Sequence, residues 1–305
     1  MKRHQNSLKK IIVVLGPTAS GKSELAIKLA KKFNGEIVSA DSRQIYKKMN
    51  IGTAKPPQDK KLKVKNGNYL VGGIPHHLID VIGPNGQFSA VKYRDLALKA
   101  IKKIYTKGKI PIVCGGTGFY IRALIDNIVI PAVKPDKSLR KILEKKTSPE
   151  LLLELKRLDP QRAKNIDPNN RRRLIRAIEI IKKTNKPIPR LKSKKFFNPL
   201  YIVIKKSPEE LKNLIDARVK KMIKNGLEKE VKNLVKKYGW TTVLKNTIGY
   251  KEWLEKKPES QIKANTLKFA KRQITWFKKY PGEKIHWVTN LKQAEKLIKE
   301  FLQSK

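Results

Sequence analysis

A single cysteine, Cys114, and four histidines, His4, His76, His77 and His286, are the only thiol and imidazole ligands in the chain. One thiol cannot build a disulfide framework and fits a reducing compartment, and so few Cys and His side chains argue against a zinc module. Acidic residues are scarce too: 25 Asp and Glu stand against 71 Lys and Arg, a formal net charge of +46 over 305 residues. That excess makes a polyanion the default partner, although a lysine-rich background also spreads charge over exposed faces. Long apolar runs are missing as well. The basic stretch Met1–Lys10 leads only into Ile11-Ile12-Val13-Val14-Leu15, too short for the core of a signal peptide, and no run nears the length of a membrane span. A cytoplasmic protein that does not use a membrane is expected, with material for one large or two modest domains.

What is present begins at Gly16-Pro17-Thr18-Ala19-Ser20-Gly21-Lys22-Ser23, directly after that apolar run and directly before Glu24-Leu25-Ala26-Ile27-Lys28-Leu29-Ala30. Strand, G-x-x-x-x-G-K-S and helix in this order form a P-loop. Its backbone N–H groups and the helix N-terminus surround phosphate oxygens. Lys22 adds a charge, and the Ser23 hydroxyl is the usual ligand for Mg²⁺. A second strand, Glu36 to Ala40, ends at Asp41-Ser42-Arg43-Gln44. Ligands of parallel sheets sit beyond the carboxyl ends of the strands, so Asp41 lies beside the P-loop as a base or as the cap of a turn. A third strand, Ile110 to Cys114, ends at Gly115-Gly116-Thr117-Gly118, whose glycines would let a phosphate or base approach the backbone.

Between these, residues 47–73 read as loop and Ser89 to Tyr105 as an amphipathic helix. The neighbours His76 and His77 project in different directions, which favours a structural role over a shared metal. From Pro131 to about Lys195 the pattern changes to short helices without strands, with Ser148-Pro149 and Asp167-Pro168 as cap-plus-proline pairs. Arg172, Arg173 and Arg176 flank the apolar stripe Leu174, Ile175, Ile178 and Ile181, as a solvated face or a phosphate grip. Strand character returns at Tyr201 to Ile204, so the helical section is an insertion. The following helix, to about Gly226, places Arg218 on the stripe of Leu211, Leu214, Ile215, Val219 and Met222. There it must snorkel outward or be paired inside, and a diphosphate is its natural partner. Ile262–Lys279 reads as a long helix that mixes basic and aromatic residues, for nucleic acid contact or for the core. The fold class is therefore α/β: a P-loop NTPase-like parallel sheet core (1–133 and 198–305) with an all-helical insertion (134–197).

Three functional classes fit these residues. One is an enzyme moving a group between a phosphorylated small molecule and a nucleic acid, another a small-molecule kinase or switch NTPase. The third, an architectural RNA-binding protein, leaves the P-loop unused. The motifs GPTASGKS, ADSRQIY, NIGTAKP, PHHLID, GGTGFYIRAL, PNNRRRLIRAIEI, TIGYKE and FAKRQITWF occur in one order. Together, from about Ile11 to Val288, they closely resemble the bacterial tRNA dimethylallyltransferases. The resemblance implies transfer of a dimethylallyl group from its diphosphate to the exocyclic amine of the adenine 3′ to the anticodon, assisted by Mg²⁺. Adenylate isopentenyltransferases share the P-loop and base but act on a free nucleotide, and the insertion and tRNA motifs speak against them.

The resemblance also implies roles. Residues 16–23 would hold the donor's diphosphate without ATP hydrolysis, with Ser23 on Mg²⁺. Asp41 matches the general base, Thr117 a threonine near diphosphate and target base, and Arg218 the arginine that neutralises the leaving group. Matches to tRNA-contacting regions include Asp41, Ser42, Arg43, Gln44 and Thr117, with Arg140 at the start of the insertion. Arg172, Arg173, Leu174, Ile175 and Arg176 form a further region, and Thr247, Ile248, Gly249, Tyr250 and Lys251 another. The last comprises Lys271, Arg272, Gln273, Ile274, Thr275, Trp276, Phe277 and Lys278. A monomer acting on the tRNA anticodon stem-loop is expected. The lysine-rich segment from Gln58 to Gly73 is longer than is typical of the family.

Overall fold

The apolar runs become the central strands of one sheet: β1 (Lys9–Leu15), β2 (Gly35–Ala40), β3 (Tyr69–Val71), β4 (Ile74–His77), β5 (Ile110–Gly115), β6 (Phe197–Ile204) and β7 (Ile285–Val288). The structure, a computed structural model, describes residues 8–59, 69–128, 131, 133–188, 196–280 and 284–304. Residues 60–68 of the lysine-rich segment and the 189–195 connection thus lie outside the described residues. The strand order is β3-β4-β2-β5-β1-β6-β7, and every pair is parallel except β3 with β4. A parallel sheet needs cover on both faces, which is why its strands are apolar throughout rather than alternating. Ile11, Val13 and Leu15 of β1 pack on one face against α2 (Ala90–Thr106) and α3 (Gly118–Ile125), once α1 (Lys22–Lys32) has left the P-loop. Ile12 and Val14 pack on the other, against α1 and the C-terminal helix.

The chain forms two compact units, Met1–Asn127 with Lys194–Lys305, and Ile128–Ser193. The smaller unit is all helical: α4 (Lys137–Leu143), α5 (Ser148–Leu158), α6 (Pro160–Asn165) and α7 (Arg171–Thr184). Of the expected insertion 134–197, Phe197 opens β6 opposite Lys9 and so belongs to the sheet. The caps shift too. Thr147, not Ser148, closes a capping box on α5, and Asn170, not Asp167, caps α7. Asp159-Pro160 supplies a cap-plus-proline pair at α6. In the larger unit follow α8 (Pro208–Lys224), α9 (Leu227–Tyr238), α10 (Thr242–Lys245), a 3₁₀ turn at Lys251–Leu254, α11 (Pro258–Lys278) and α12 (Leu291–Gln303). Leu214 is 39% exposed, so the buried stripe of α8 is Leu211, Ile215, Val219 and Met222.

His76 and His77 end strand β4. His77 Nε2 lies 2.8 Å from Glu36, which also takes Lys107 and Lys109, so the pair is structural. No helix among the described residues is long and apolar enough to cross a membrane.

In the helical unit the core of Leu143, Leu151, Leu155, Leu174 and Ile178 closes over one carboxylate. Glu179 is fully buried on α7 and accepts from Arg140 Nε and Nη2 (2.8 Å each), from Arg176 Nη1 (2.5 Å) and from the Asp136 N–H (2.7 Å). Burial opposes its charge, but these donors outweigh it and hold the pKa at about 2 against an ordinary 4.5. A depressed carboxylate contributes stability that is complete above the unfolded value and is lost as pH falls through the folded one. Thermal melts between pH 5 and pH 2 are therefore expected to show an acid slope worth at most about 3 kcal/mol, which Glu179→Gln removes. An unchanged slope in that variant would assign the acid sensitivity to other carboxylates.

Candidate active site

Register decides what meets at the carboxyl edge of the sheet. Leu15 pairs with Gly115 and Ala40 pairs with the same Gly115. The P-loop after β1, Asp41 after β2 and Gly116-Thr117 after β5 therefore emerge side by side. Thr117 fastens two of them. Its N–H donates to the Ala40 carbonyl (3.1 Å), and its Oγ1 accepts from the Ser42 N–H (3.0 Å).

The loop itself is shaped for an anion. Ala19 and Gly21 have φ of 66° and 85°, the left-handed turn that aims successive N–H groups inward. A Cβ on Gly16 would stand 2.6 Å from Ser20 Oγ. That hydroxyl is buried and has no hydrogen-bond partner, an orphan that a phosphate oxygen would satisfy. Lys22 and Arg218 bring two half-buried cations to this place. Burial lowers the pKa of Lys22, Asp41 and Cys114 counter it, and Arg218 adds to it. Burial likewise lowers that of Arg218, and Asp41 is the sole group opposing the shift. Arg218 makes no ion pair or hydrogen bond among the described residues. Two half-buried cations thus lean on one carboxylate, which leaves the site short of negative charge. Ser23 is half-buried beside Cys114, whose thiol burial pushes up to about 11.

Asp41 serves both readings of its position. Oδ1 caps the turn, accepting from the N–H groups of Arg43 (2.8 Å) and Gln44 (3.3 Å). Oδ2 is in no hydrogen bond among the described residues and can accept a proton. Gln44 is held in turn, its Nε2 donating to the carbonyls of Thr53 and Ala54 and its Oε1 accepting from Ser39. Glu230 of α9 anchors that 50–54 loop, accepting from the N–H groups of Asn50, Ile51 and Gly52 (2.9–3.1 Å) and from the Tyr250 hydroxyl (2.7 Å). Sequence reasoning missed Glu230, because a glutamate on an amphipathic helix carries no local mark of such a role.

Helix α11 explains the glycines differently from the expectation that a ligand approaches them. A Cβ on Gly116 would meet Gln273 Nε2 at 2.1 Å, one on Gly118 the Trp276 ring at 2.3 Å, and one on Gly115 the Ala40 carbonyl oxygen at 2.2 Å. At these three glycines the space of a Cβ is taken by protein. Gln273 is buried, and its amide is used at both ends: Oε1 accepts from the Thr18 N–H (2.8 Å) and Nε2 donates to the Gly116 carbonyl (2.9 Å). Its place on the stripe Thr266, Ala270, Gln273 and Phe277 is the signal that could have found it, a polar residue where a core residue belongs.

The residues that the resemblance connects with tRNA divide by burial. Ser42 and Arg43 are half-buried at the site's edge, with Arg43 Nη2 donating to the Asn246 carbonyl. Lys271, Arg272, Thr275 and Lys278 are exposed on α11, Ile274 and Trp276 half-buried, and Phe277 is core. Thr247, Gly249 and Tyr250 are buried, while Ile248 and Lys251 are half-buried. In the helical unit Arg172 and Arg173 are exposed, and Arg140 and Arg176 are clamped on Glu179 with part of each guanidinium open. Leu174 and Ile175 are core. The side chains of Leu174, Ile175, Thr247, Tyr250, Gln273 and Phe277 are turned into the protein.

Known proteins share this arrangement. A family model described as IPP transferase matches residues 44–280. A tRNA dimethylallyltransferase of Acetivibrio thermocellus is 42% identical, over 95% of this chain and 96% of its own. One from Caldanaerobacter subterraneus is 40% identical, over 97% and 98%. Among solved structures, a tRNA delta(2)-isopentenylpyrophosphate transferase from Staphylococcus epidermidis is 34% identical with a TM-score of 0.65, covering 96% of this chain and 98% of that one. A eukaryotic dimethylallyltransferase acting on tRNA is 30% identical with a TM-score of 0.73, over 96% of this chain and 77% of that one. With relatives this similar along nearly its whole length, and with a phosphate loop, an edge carboxylate and an unpaired arginine converging on one sheet edge, the chain belongs to the IPP transferase family.

Proposed function

We propose that this protein transfers a dimethylallyl group from dimethylallyl diphosphate to the exocyclic nitrogen of the tRNA adenine 3′ to the anticodon. The observation that carries this reading is a P-loop with an orphaned buried hydroxyl, with Lys22 and Arg218 half-buried around Asp41 beside it. Such a site has charge waiting for a diphosphate and a carboxylate within reach of a proton. The adenine nitrogen attacks C1 of the allyl group, and the C1–O bond breaks with its electron pair leaving on the diphosphate. The nitrogen's proton passes to Asp41, whose capped Oδ1 fixes the direction of Oδ2. Lys22, Arg218 and the loop N–H groups oppose the charge that develops on the leaving oxygen.

Ser23 suits a magnesium ion, since Mg²⁺ takes one or two protein oxygens and fills the rest with phosphate and water. No three Asp, Glu, His or Cys side chains converge among the described residues, so the diphosphate would supply most of its ligands. When bound, the ion adds positive charge at the leaving group. Duplex and folded RNA hide base edges, so the target adenine is unstacked to reach the edge of the sheet. Exposed arginines and lysines of α7 and α11 hold the backbone.

Purified protein, tRNA, dimethylallyl diphosphate and Mg²⁺ should yield dimethylallyl-adenosine in digested tRNA by mass analysis, without ATP. A strict ATP requirement with ADP formed in step would overturn the reading in favour of a kinase. Asp41→Asn should reduce single-turnover transfer by on the order of 10²–10⁴ with tRNA affinity little changed; wild-type turnover would remove Asp41 as the base. Replacing Arg172 and Arg173 by alanine should shrink the slope of log affinity for tRNA against log salt by roughly 0.7–0.9 per phosphate contact. Pyrophosphate affinity should not change. An unaltered slope would make those arginines a solvated face.

A further inference from the structure

Gln273 is the polar residue of the site that the chemistry above leaves without a task. It stands on the buried stripe of α11, between Ala270 in the core under α8 and Phe277 in the core under α2 and α3. A side chain at such a position is ordinarily apolar, and an amide there survives only if both of its ends are satisfied. Here they are, and by two loops from different strands: the Thr18 N–H of the P-loop at 2.8 Å and the Gly116 carbonyl at 2.9 Å. One turn on, Trp276 covers Gly118 so closely that no Cβ would fit. Thr117 is therefore flanked on both sides by α11, and the same helix is tied to the phosphate loop through one carboxamide.

We infer that Gln273 is a positioning residue for prenyl transfer, setting the spacing between the loop that holds the donor and the loop that presents Thr117. This rests on the functional reading above. The P-loop holds the diphosphate, and with it the allyl carbon; the Thr117 loop is bonded to Ser42 and to the end of β2, next to Asp41. Bond formation needs the reacting atoms within near-attack distance, and a misplacement of about 1 Å is worth roughly 10²-fold in rate. The carboxamide is suited to this task because it must donate at one end and accept at the other. A glutamate keeps the acceptor for Thr18 but sets an oxygen against the Gly116 carbonyl, whereas a methionine keeps the length and loses both bonds. Lys271 and Arg272 on the same turn are exposed, so the groups facing RNA are separate from the tether.

The test compares wild type with Gln273→Glu and Gln273→Met, measuring single-turnover transfer at saturating donor and tRNA, tRNA affinity, pyrophosphate affinity by calorimetry and thermal midpoint. Expected is a fall in kcat of about 10²-fold in both folded variants while tRNA affinity stays within about twofold. Wild-type kcat in either variant overturns the tether. Gly116→Ala probes the same contact from the other loop should those variants not fold. Its methyl group displaces the Gln273 amide, so kcat should fall likewise, and an unchanged kcat again overturns the inference. If wild type binds pyrophosphate but transfers no prenyl group, the functional reading fails, and pyrophosphate affinity then decides the tether alone. A loss of about tenfold in Gln273→Met supports it and equal affinity refutes it.

Discussion

Lys22 and Arg218 stand half-buried together with one carboxylate, Asp41, to answer them. That imbalance is costly in a folded protein, and the surrounding architecture serves to hold it. The strands β1, β2 and β5 end in register so that the P-loop, Asp41 and Thr117 share one edge. Helix α8, packed with α11 and α9, carries Arg218 to it. A bound diphosphate would supply the missing negative charge at that edge.

The same edge shows how rigidity is distributed. Each substrate-facing loop is fastened by a buried polar side chain from a distant element: the phosphate loop by Gln273, the Gln44 turn by the 50–54 loop, and that loop by Glu230. Thr117 joins the β2 and β5 loops directly. These groups spend their hydrogen bonds inside the protein, and pre-formed geometry is what such bonds contribute to a transfer reaction. Glu179 plays the corresponding part in the helical unit, where it turns Arg140 and Arg176 into a fixed pair with open faces.

The net charge of +46 is thus of two kinds. Much of it is lysine on exposed helix faces, beside a few lysines that a carboxylate four residues away neutralises, as Glu24 does Lys28 and Glu228 does Lys232. Such pairs are worth little and are screened by salt. The smaller part is arginine and lysine placed by structure, Lys22 and Arg218 at the sheet edge and Arg140 and Arg176 on Glu179.

The primary sequence was enough to locate the P-loop, the parallel sheet, Asp41 at a strand end, Arg218 on an otherwise apolar stripe and the change to helices in the insertion. Each is a local pattern, a spacing or a switch of period within a dozen residues. Tertiary structure alone decided the rest. Gln273 and Thr18 are 255 residues apart, and nothing in either neighbourhood announces the other. The glycines of Gly115 to Gly118 look like a ligand's approach until α11 and Ala40 are seen against them. Leu214 belongs by period to the stripe of α8 yet faces solvent, because where a helix lies on its neighbours, not its own period, sets which edge of a stripe is covered. Hydrogen-bond partners and close approaches are properties of elements crossing in space, and a linear pattern records which residues could take part but not which ones meet.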